Sequence, residues 1–162
     1  KEEYYYDANN LHTQMIWYSR NIFTNKFDKY YKNEYTFDAN GNCTQKNHYG
    51  WYEETNQWEE ASMKYDYTYD GNGCKISETC YLSDINSQWV GSHLYVYFYE
   101  AGNNTKRITY WWNDSLSQWK NLEKHEYAYN ANGNETQFIR YSWNTSILQW
   151  VNYVKGGKLL RC

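Results

Sequence analysis

The side chains with the widest chemical reach in this sequence are tryptophans set beside polar loops. Trp51, Trp112 and Trp143 close apolar stretches, and Trp58, Trp89, Trp119 and Trp150 each follow a glutamine or open the next stretch directly after one. An indole offers a large flat apolar area at little entropic cost. Rings in such a row suit the flat faces of sugars, or a protein contact. The competing expectation is that the rings are a core in their own right, paired across strands. If the first holds, all seven form a ligand-binding edge that a long polymer meets at several points in series, with spacing setting the effective concentration.

Other chemistry is sparse. Asp38-Ala39-Asn40-Gly41-Asn42 has the composition of a calcium loop, but glycine stands at its fourth position and no glutamate closes it. Asp, Asn and Gly are also the residues a tight turn needs. His12, His48, His93 and His125 share no register and point to no metal or catalytic set. Nucleophile elbows, zinc-protease helices, phosphate loops and dinucleotide fingerprints are all missing. Acids are plentiful, so a glycosidase-like pair of carboxylates stays open. The expectation is therefore no catalytic residue, no metal and no cofactor. Cys43, Cys74, Cys80 and Cys162 show no zinc spacing, and Cys74 and Cys80 would lie roughly 20 Å apart on one strand, too far for a disulfide.

The elements that must carry these residues are announced by an internal repeat. Tyr-x-(Tyr/Phe)-(Asp/Glu/Asn) begins at Tyr4, Tyr35, Tyr67, Tyr97 and Tyr127, in steps of 31, 32, 30 and 30 residues. Gln-Trp begins at Gln57, Gln88, Gln118 and Gln149, in steps of 31, 30 and 31. Two markers with one period divide the chain, 1–162, into a single repeat domain of five units, about 4–34, 35–66, 67–96, 97–126 and 127–157. Each unit reads as a hairpin: a strand ending in Tyr-x-Tyr, an Asn/Gly turn, a second strand, then a polar loop before the next Gln-Trp. The fold expected is all-β, an antiparallel β-meander of about five repeated β-hairpins, about ten strands, in a single twisted or curled sheet. Strict alternation puts Trp119, Asn121, Glu123, His125, Tyr127 and Tyr129 on one face. The second unit has one residue more between Trp58 and Tyr67, and a β-bulge there would restore the parity.

Composition agrees. The 162 residues include 21 Tyr, nine Trp and no Pro, and aromatics make up 22% against 41% apolar overall, so rings must do the work of an aliphatic core. The formal charge of −3 and scattered basic residues exclude the footprint of a nucleic-acid binder. No apolar run reaches the ~20 residues of a membrane span. The chain starts at Lys1 in what is nearly a strand, which a removed leader peptide would explain.

Tyr67-Thr68-Tyr69-Asp70-Gly71-Asn72-Gly73 resembles the tyrosine-aspartate (YD) repeat of Rhs-type and teneurin-type shells, although the Arg-Leu that follows that family's glycine is absent. The full unit, with Gln88-Trp89-Val90 and Gln149-Trp150-Val151, is more similar to uncharacterised Tyr/Trp-rich hairpin-repeat proteins of Bacteroides and relatives. That resemblance implies an exported protein, secreted, periplasmic or on the cell surface, and supplies no catalytic residues. Asp114-Ser115-Leu116 also matches the short O-glycosylation signal of gut Bacteroidetes. The expected function is a non-enzymatic exported module that binds a glycan or a cell-envelope protein, or serves as a scaffold. The alternative is a polysaccharide-active enzyme, a glycosidase or lyase. An enzyme should break the repeat at one cluster of acids or histidines.

Overall fold

The computed structural model describes residues 1–153. Its strands are β1 (Glu2–Tyr6), β2 (His12–Arg20), β3 (Phe27–Phe37), β4 (Cys43–Tyr52), β5 (Gln57–Trp58), β6 (Met63–Tyr69), β7 (Lys75–Ser83), β8 (Trp89–Glu100), β9 (Asn103–Asn113), β10 (Gln118–Tyr129), β11 (Glu135–Asn144) and β12 (Gln149–Asn152). They form one sheet in which each strand follows its sequence neighbour, with β5 pairing β4 beside the main path. All-β and meander therefore hold. Among the described residues the strands number twelve rather than about ten for two local reasons. The last Gln-Trp opens β12, half of a further hairpin, and the chain leaves the ladder at residues 59–62, which cuts β5 from β6. Among the described residues the one helical element is a single 3-10 turn at Asp114–Leu116.

The chain divides into two compact units, one of Lys1–Tyr69 with Thr79–Ser92, the other of Asp70–Glu78 with the described residues from His93 onward. Both are built with the same local devices. The Asn/Gly turns are Asx turns. The side-chain oxygen Oδ1 of Asp38 accepts the N–H groups of Asn40 and Asn42 at 2.9 and 2.8 Å. Asp7, Asp70 and Asn130 do the same two and four residues on. Since Asn130 serves as well as an aspartate, these turns use the oxygen and not the charge. Among the described residues no group of three His, Cys, Asp or Glu is placed to hold a metal ion.

A second device is invisible in the repeat markers. One residue beyond the turn pairing, the ladder slips by one residue, between Tyr5 and Tyr6, Thr36 and Phe37, Phe98 and Tyr99, and Ala128 and Tyr129. The extra residue on the partner strand is a threonine each time: Thr13, Thr44, Thr105 and Thr136. Its hydroxyl donates back to the carbonyl of Tyr5, Thr36, Phe98 or Ala128 at 3.1–3.4 Å. A bulge needs a residue able to satisfy the interrupted ladder locally, and a short hydroxyl does so.

A third device ties successive repeats. The second ring of Tyr-x-Tyr donates its hydroxyl to a main-chain carbonyl of the repeat before it: Tyr69 to Cys43 at 2.8 Å, Tyr99 to Lys75 at 3.0 Å and Tyr129 to Asn104 at 2.9 Å.

The alternation expected from sequence is wrong in one respect. A bulge at Leu122, between Asn121 and Glu123, and another at Tyr30, between its neighbours' pairings with Tyr18 and Trp17, invert the parity along β10 and β3. Trp119 therefore lies on the face opposite to His125 and Tyr127. In the second repeat the break at 59–62 has the same result for Trp58 and Tyr67. Trp58 and Trp119 thus lie on one face and the Tyr-x-Tyr rings that follow them on the other, called below the Trp face and the Tyr face.

Burial is shallow. Among the described residues the buried apolar side chains are Ile16 and Cys80, and the buried polar ones Asn33, Thr109 and His125. Most rings are half-buried, held by neighbours in the sheet itself.

Candidate binding surface

On the Trp face the hairpin loops are closed by pairs of indoles. Trp51 stands directly opposite Trp58, Trp112 opposite Trp119, and Trp143 opposite Trp150. Their centroids lie 4.8, 5.0 and 5.0 Å apart at interplanar angles of 71°, 69° and 70°. Edge-to-face contact sets the positive rim of one ring on the negative face of the other, a favoured arrangement worth about 0.5–1.5 kcal/mol beyond area burial. Each pair spans six residues, of which the one two places before the second ring has positive φ: Asn56, Ser117 and Leu148. Trp89 breaks the pattern, because Leu82 stands where its partner indole would be, and both are exposed, by 39% and 43%.

The seven tryptophans named from sequence thus sit each with its own hairpin and do not line one pocket. All but Trp89 are half-buried. The structure joins them to a feature the sequence reading missed. Three residues ahead of Tyr-x-Tyr stands a lysine, and two residues after the lysine an acid: Lys1 and Glu3, Lys32 and Glu34, Lys64 and Asp66, Lys124 and Glu126. The ammonium and carboxylate pair at 2.5, 2.5, 3.2 and 2.7 Å. Each lysine also lies over a tyrosine of the next strand: Tyr18 at 4.9 Å, Tyr49 at 4.2 Å, Tyr81 at 4.5 Å and Tyr141 at 4.0 Å. That tyrosine's hydroxyl donates to the acid, from Tyr18 to Glu3 at 2.6 Å and from Tyr141 to Glu126 at 2.9 Å. The signal was present as a Lys-x-acid-Tyr motif in step with the repeat. It is hidden because each lysine and its tyrosine lie on different strands and meet only through the ladder.

These triads set the local electrostatics. The Lys1 ammonium and the Tyr18 hydroxyl hold Glu3 down to about 2. Lys124 and then, against the opposing effect of burial, Tyr141 hold Glu126 below its ordinary range. Burial works to raise Glu34, but Lys32, Tyr49 and Gln14 outweigh it and the group ends lowered. The tyrosines move the other way. Tyr18 is pushed up to about 12 by its bond to Glu3, and Tyr49 to about 12 by burial and then Glu34. In the unit that starts with Lys1, Lys29 and Lys32 add ammonium groups 5.7 and 5.5 Å from the Trp58 ring, Lys29 lying 4.2 Å over Trp51. In the other unit the Trp face holds a cavity of about 670 Å³, lined among others by Ile76, Phe98, Lys106, Glu126, Gln137 and Ile139. Lys106 lies 3.9 Å over Phe98 there. Ahead of Tyr97, Leu94 and Val96 take the places of the lysine and the acid, paired with Tyr110 and Ile108.

On the Tyr face the histidines, unrelated by sequence register, all meet rings. His12 contacts Tyr4 and Tyr35, His48 contacts Tyr31, His93 stacks on Tyr95, and His125 contacts Phe138. His125 is the most connected. Arg107 reaches its Nδ1 at 2.8 Å, and Glu123 lies 3.4 Å from its Nε2 while pairing with Arg140. Burial and the Arg107 charge hold His125 below the usual histidine range. At 9% exposure its imidazole is nearly closed to solvent.

No protein-family model matches this sequence, and no curated protein matches it at a significant level. Solved structures do. A protein of unknown function from Bacteroides fragilis NCTC 9343 aligns with a TM-score of 0.68 at 17% identity, over 76% of this chain and 88% of that one. Two DUF3836 family proteins also align, from Bacteroides vulgatus ATCC 8482 (TM-score 0.49, 22% identity, 56% of this chain and 90% of that one) and Parabacteroides distasonis ATCC 8503 (0.45, 21%, 56% and 86%). The first likeness is one of fold. The structural neighbours are Bacteroidetes proteins, and neither their names nor their identity level brings an activity.

Proposed function

We propose that this chain is a non-enzymatic exported module that binds an extended glycan on the Trp face of each unit. The observation that carries the reading is the repeated coupling of rings with paired ammonium and carboxylate groups on one face. A sugar presents an apolar C–H face flanked by hydroxyls, which need a ring beside donors and acceptors. Neighbouring repeats offer this combination about two strands, roughly 10 Å, apart. The cavity of about 670 Å³ combines Ile76, Phe98 and Ile139 with Lys106, Glu126 and Gln137 in its lining, within the usual size range of about 300–1,000 Å³ for small-molecule sites. Export is supported by the resemblance to Tyr/Trp-rich repeat proteins and by the glycosylation-like Asp114-Ser115-Leu116.

A glycan array probed with the intact chain tests the reading. A polysaccharide hit is expected, and it should weaken at least tenfold in Trp112→Ala and Lys106→Ala measured well below the melting temperature. Trp112 is half-buried against Trp119, so its removal should also cost about 2 kcal/mol of stability. Array silence, or equal binding by both variants, would sink the proposal. One observation favours an enzyme as second reading: the Arg107, Glu123, His125 and Tyr127 cluster, whose counterparts one repeat earlier or later do not reproduce it. Polysaccharide turnover that His125→Ala and Glu123→Gln both abolish would put that reading first.

A further inference from the structure

At the loops between hairpins, on the strand ends that also carry the tryptophan pairs, large apolar side chains stand in water. In the first unit Ile22 is 83% exposed, Phe23 92% and Ile85 100%. In the second, Leu116 is 56% exposed, Ile147 56% and Leu148 70%. Of the five loops of this kind only the one at 53–56 has none, and Tyr52 beside it is 43% exposed. The turns at the opposite strand ends are Ala8-Asn9-Asn10, Ala39-Asn40-Gly41, Gly71-Asn72-Gly73, Ala101-Gly102 and Ala131-Asn132-Gly133, with no side chain larger than Asn. Solvation alone gives no reason for such a difference between the two ends of each strand.

The tips are held outward. Oδ1 of Asn21 accepts the N–H of Phe23 and of Thr24, that of Asn113 accepts Leu116, and that of Asn144 accepts Ser146 and Ile147. Oδ1 of Asp84 accepts Asn86 and Gln88 across Ile85. Leu148 is disfavoured twice. Its φ is +53°, at a position where Asn25, Asn56, Ser87 and Ser117 stand in the other loops, and it is exposed as well. A branched side chain is costly in that backbone region, and breaking a local rule without packing gain marks functional positions.

The geometry points to the surface of a zwitterionic lipid bilayer as the occupant: in each unit we propose that these tips enter the interfacial layer, with the Trp112–Trp119 and Trp143–Trp150 pairs behind the second unit's tips at headgroup level. The second unit's tips are separate points about a strand pair, ~10 Å, apart, and the first unit's, Ile22 with Phe23 and Ile85, about two strand pairs, ~20 Å, apart. Separate points suit a fluid apolar phase better than one shaped pocket. Indoles, apolar with a polar N–H, favour the membrane–water boundary. The charges beside the tips are mixed, Glu53, Glu54, Asp84 and Asp114 against Arg20 and Lys26, and form no basic cluster that would draw an anionic surface. This inference does not depend on the glycan reading, and its assay contains no glycan.

Cosedimentation of the intact chain with phosphatidylcholine vesicles tests it. Binding is expected, and Ile22→Ser/Phe23→Ser and Ile147→Ser/Leu148→Asn should each lower the partition coefficient at least about tenfold. Leu148→Asn alone should weaken binding while keeping or raising the melting temperature, which separates lost contact from lost folding. The proposal is overturned if phosphatidylcholine is ignored, if the tip variants bind as well as the parent, or if only phosphatidylglycerol vesicles bind and salt releases the chain. Concentration-dependent self-association that the tip substitutions dissolve, without lipid binding, would equally overturn it and name a second copy as the occupant.

Discussion

At the scale of single residues the turns separate two uses of glycine. Gly133 has φ +77° and open space around the position a Cβ would take, and Gly71 has the same open space without a left-handed backbone. Only backbone conformation distinguishes them. Gly133→Ala should therefore destabilise by about 1–2 kcal/mol, whereas Gly71→Ala should be neutral or stabilise by about 0.4–1 kcal/mol through the unfolded chain. Urea denaturation of the two variants decides, and equal effects would show that the conformational argument fails. Turn residues were fully legible in the sequence, because Asp, Asn and Gly act through their own backbone. The lysines and acids of the Trp face were not. Lys124, Glu126 and Tyr141 are neighbours only through the pairing of β10 with β11, and their triad emerges when that register is known.

At the scale of elements, the strands and their order followed from period and turn chemistry, while the faces did not. One bulge residue, Leu122 in β10 or Tyr30 in β3, reverses everything beyond it, and neither side chain announces a bulge. The threonine bulges next to the turns leave a fixed-position residue in four repeats, a signal that strand propensity masks because threonine is also a good strand former. The Tyr-x-Tyr motif reads as an aromatic ladder, yet its second ring has a separate task in tying repeats. Tyr129→Phe keeps the ring and removes the donor to the Asn104 carbonyl, so the loss should be that of one hydrogen bond, about 0.5–1.5 kcal/mol. Tyr127→Phe, whose hydroxyl makes only a 3.5 Å contact to His125, should cost less. Denaturant midpoints in which Tyr127→Phe proves the more damaging would refute this division of labour.

For the whole molecule, stability should depend on pH at both extremes through the same triads. Carboxylates held below their ordinary value of 4.5 favour folding in the ionised form. Their contribution is complete above about pH 4.5 and lost as the pH falls toward 2, where Glu3 titrates in the fold. Tyr18 and Tyr49, raised from 10 to about 12, contribute below pH 10 and lose that contribution between 10 and 12. The melting temperature should thus form a plateau with two shoulders, and Lys32→Met/Lys124→Met should lower the plateau and flatten the acid shoulder. An unchanged acid slope would show that the triads do not govern it. The hydroxyl tie between repeats has one more consequence, for how such a chain changes over evolution. Its acceptor is a main-chain carbonyl, which every amino acid possesses. Through this tie a repeat that carries its own tyrosine makes no demand on the side chains of the repeat before it, so the tie itself survives duplication or deletion of a whole repeat without a compensating substitution in its neighbour.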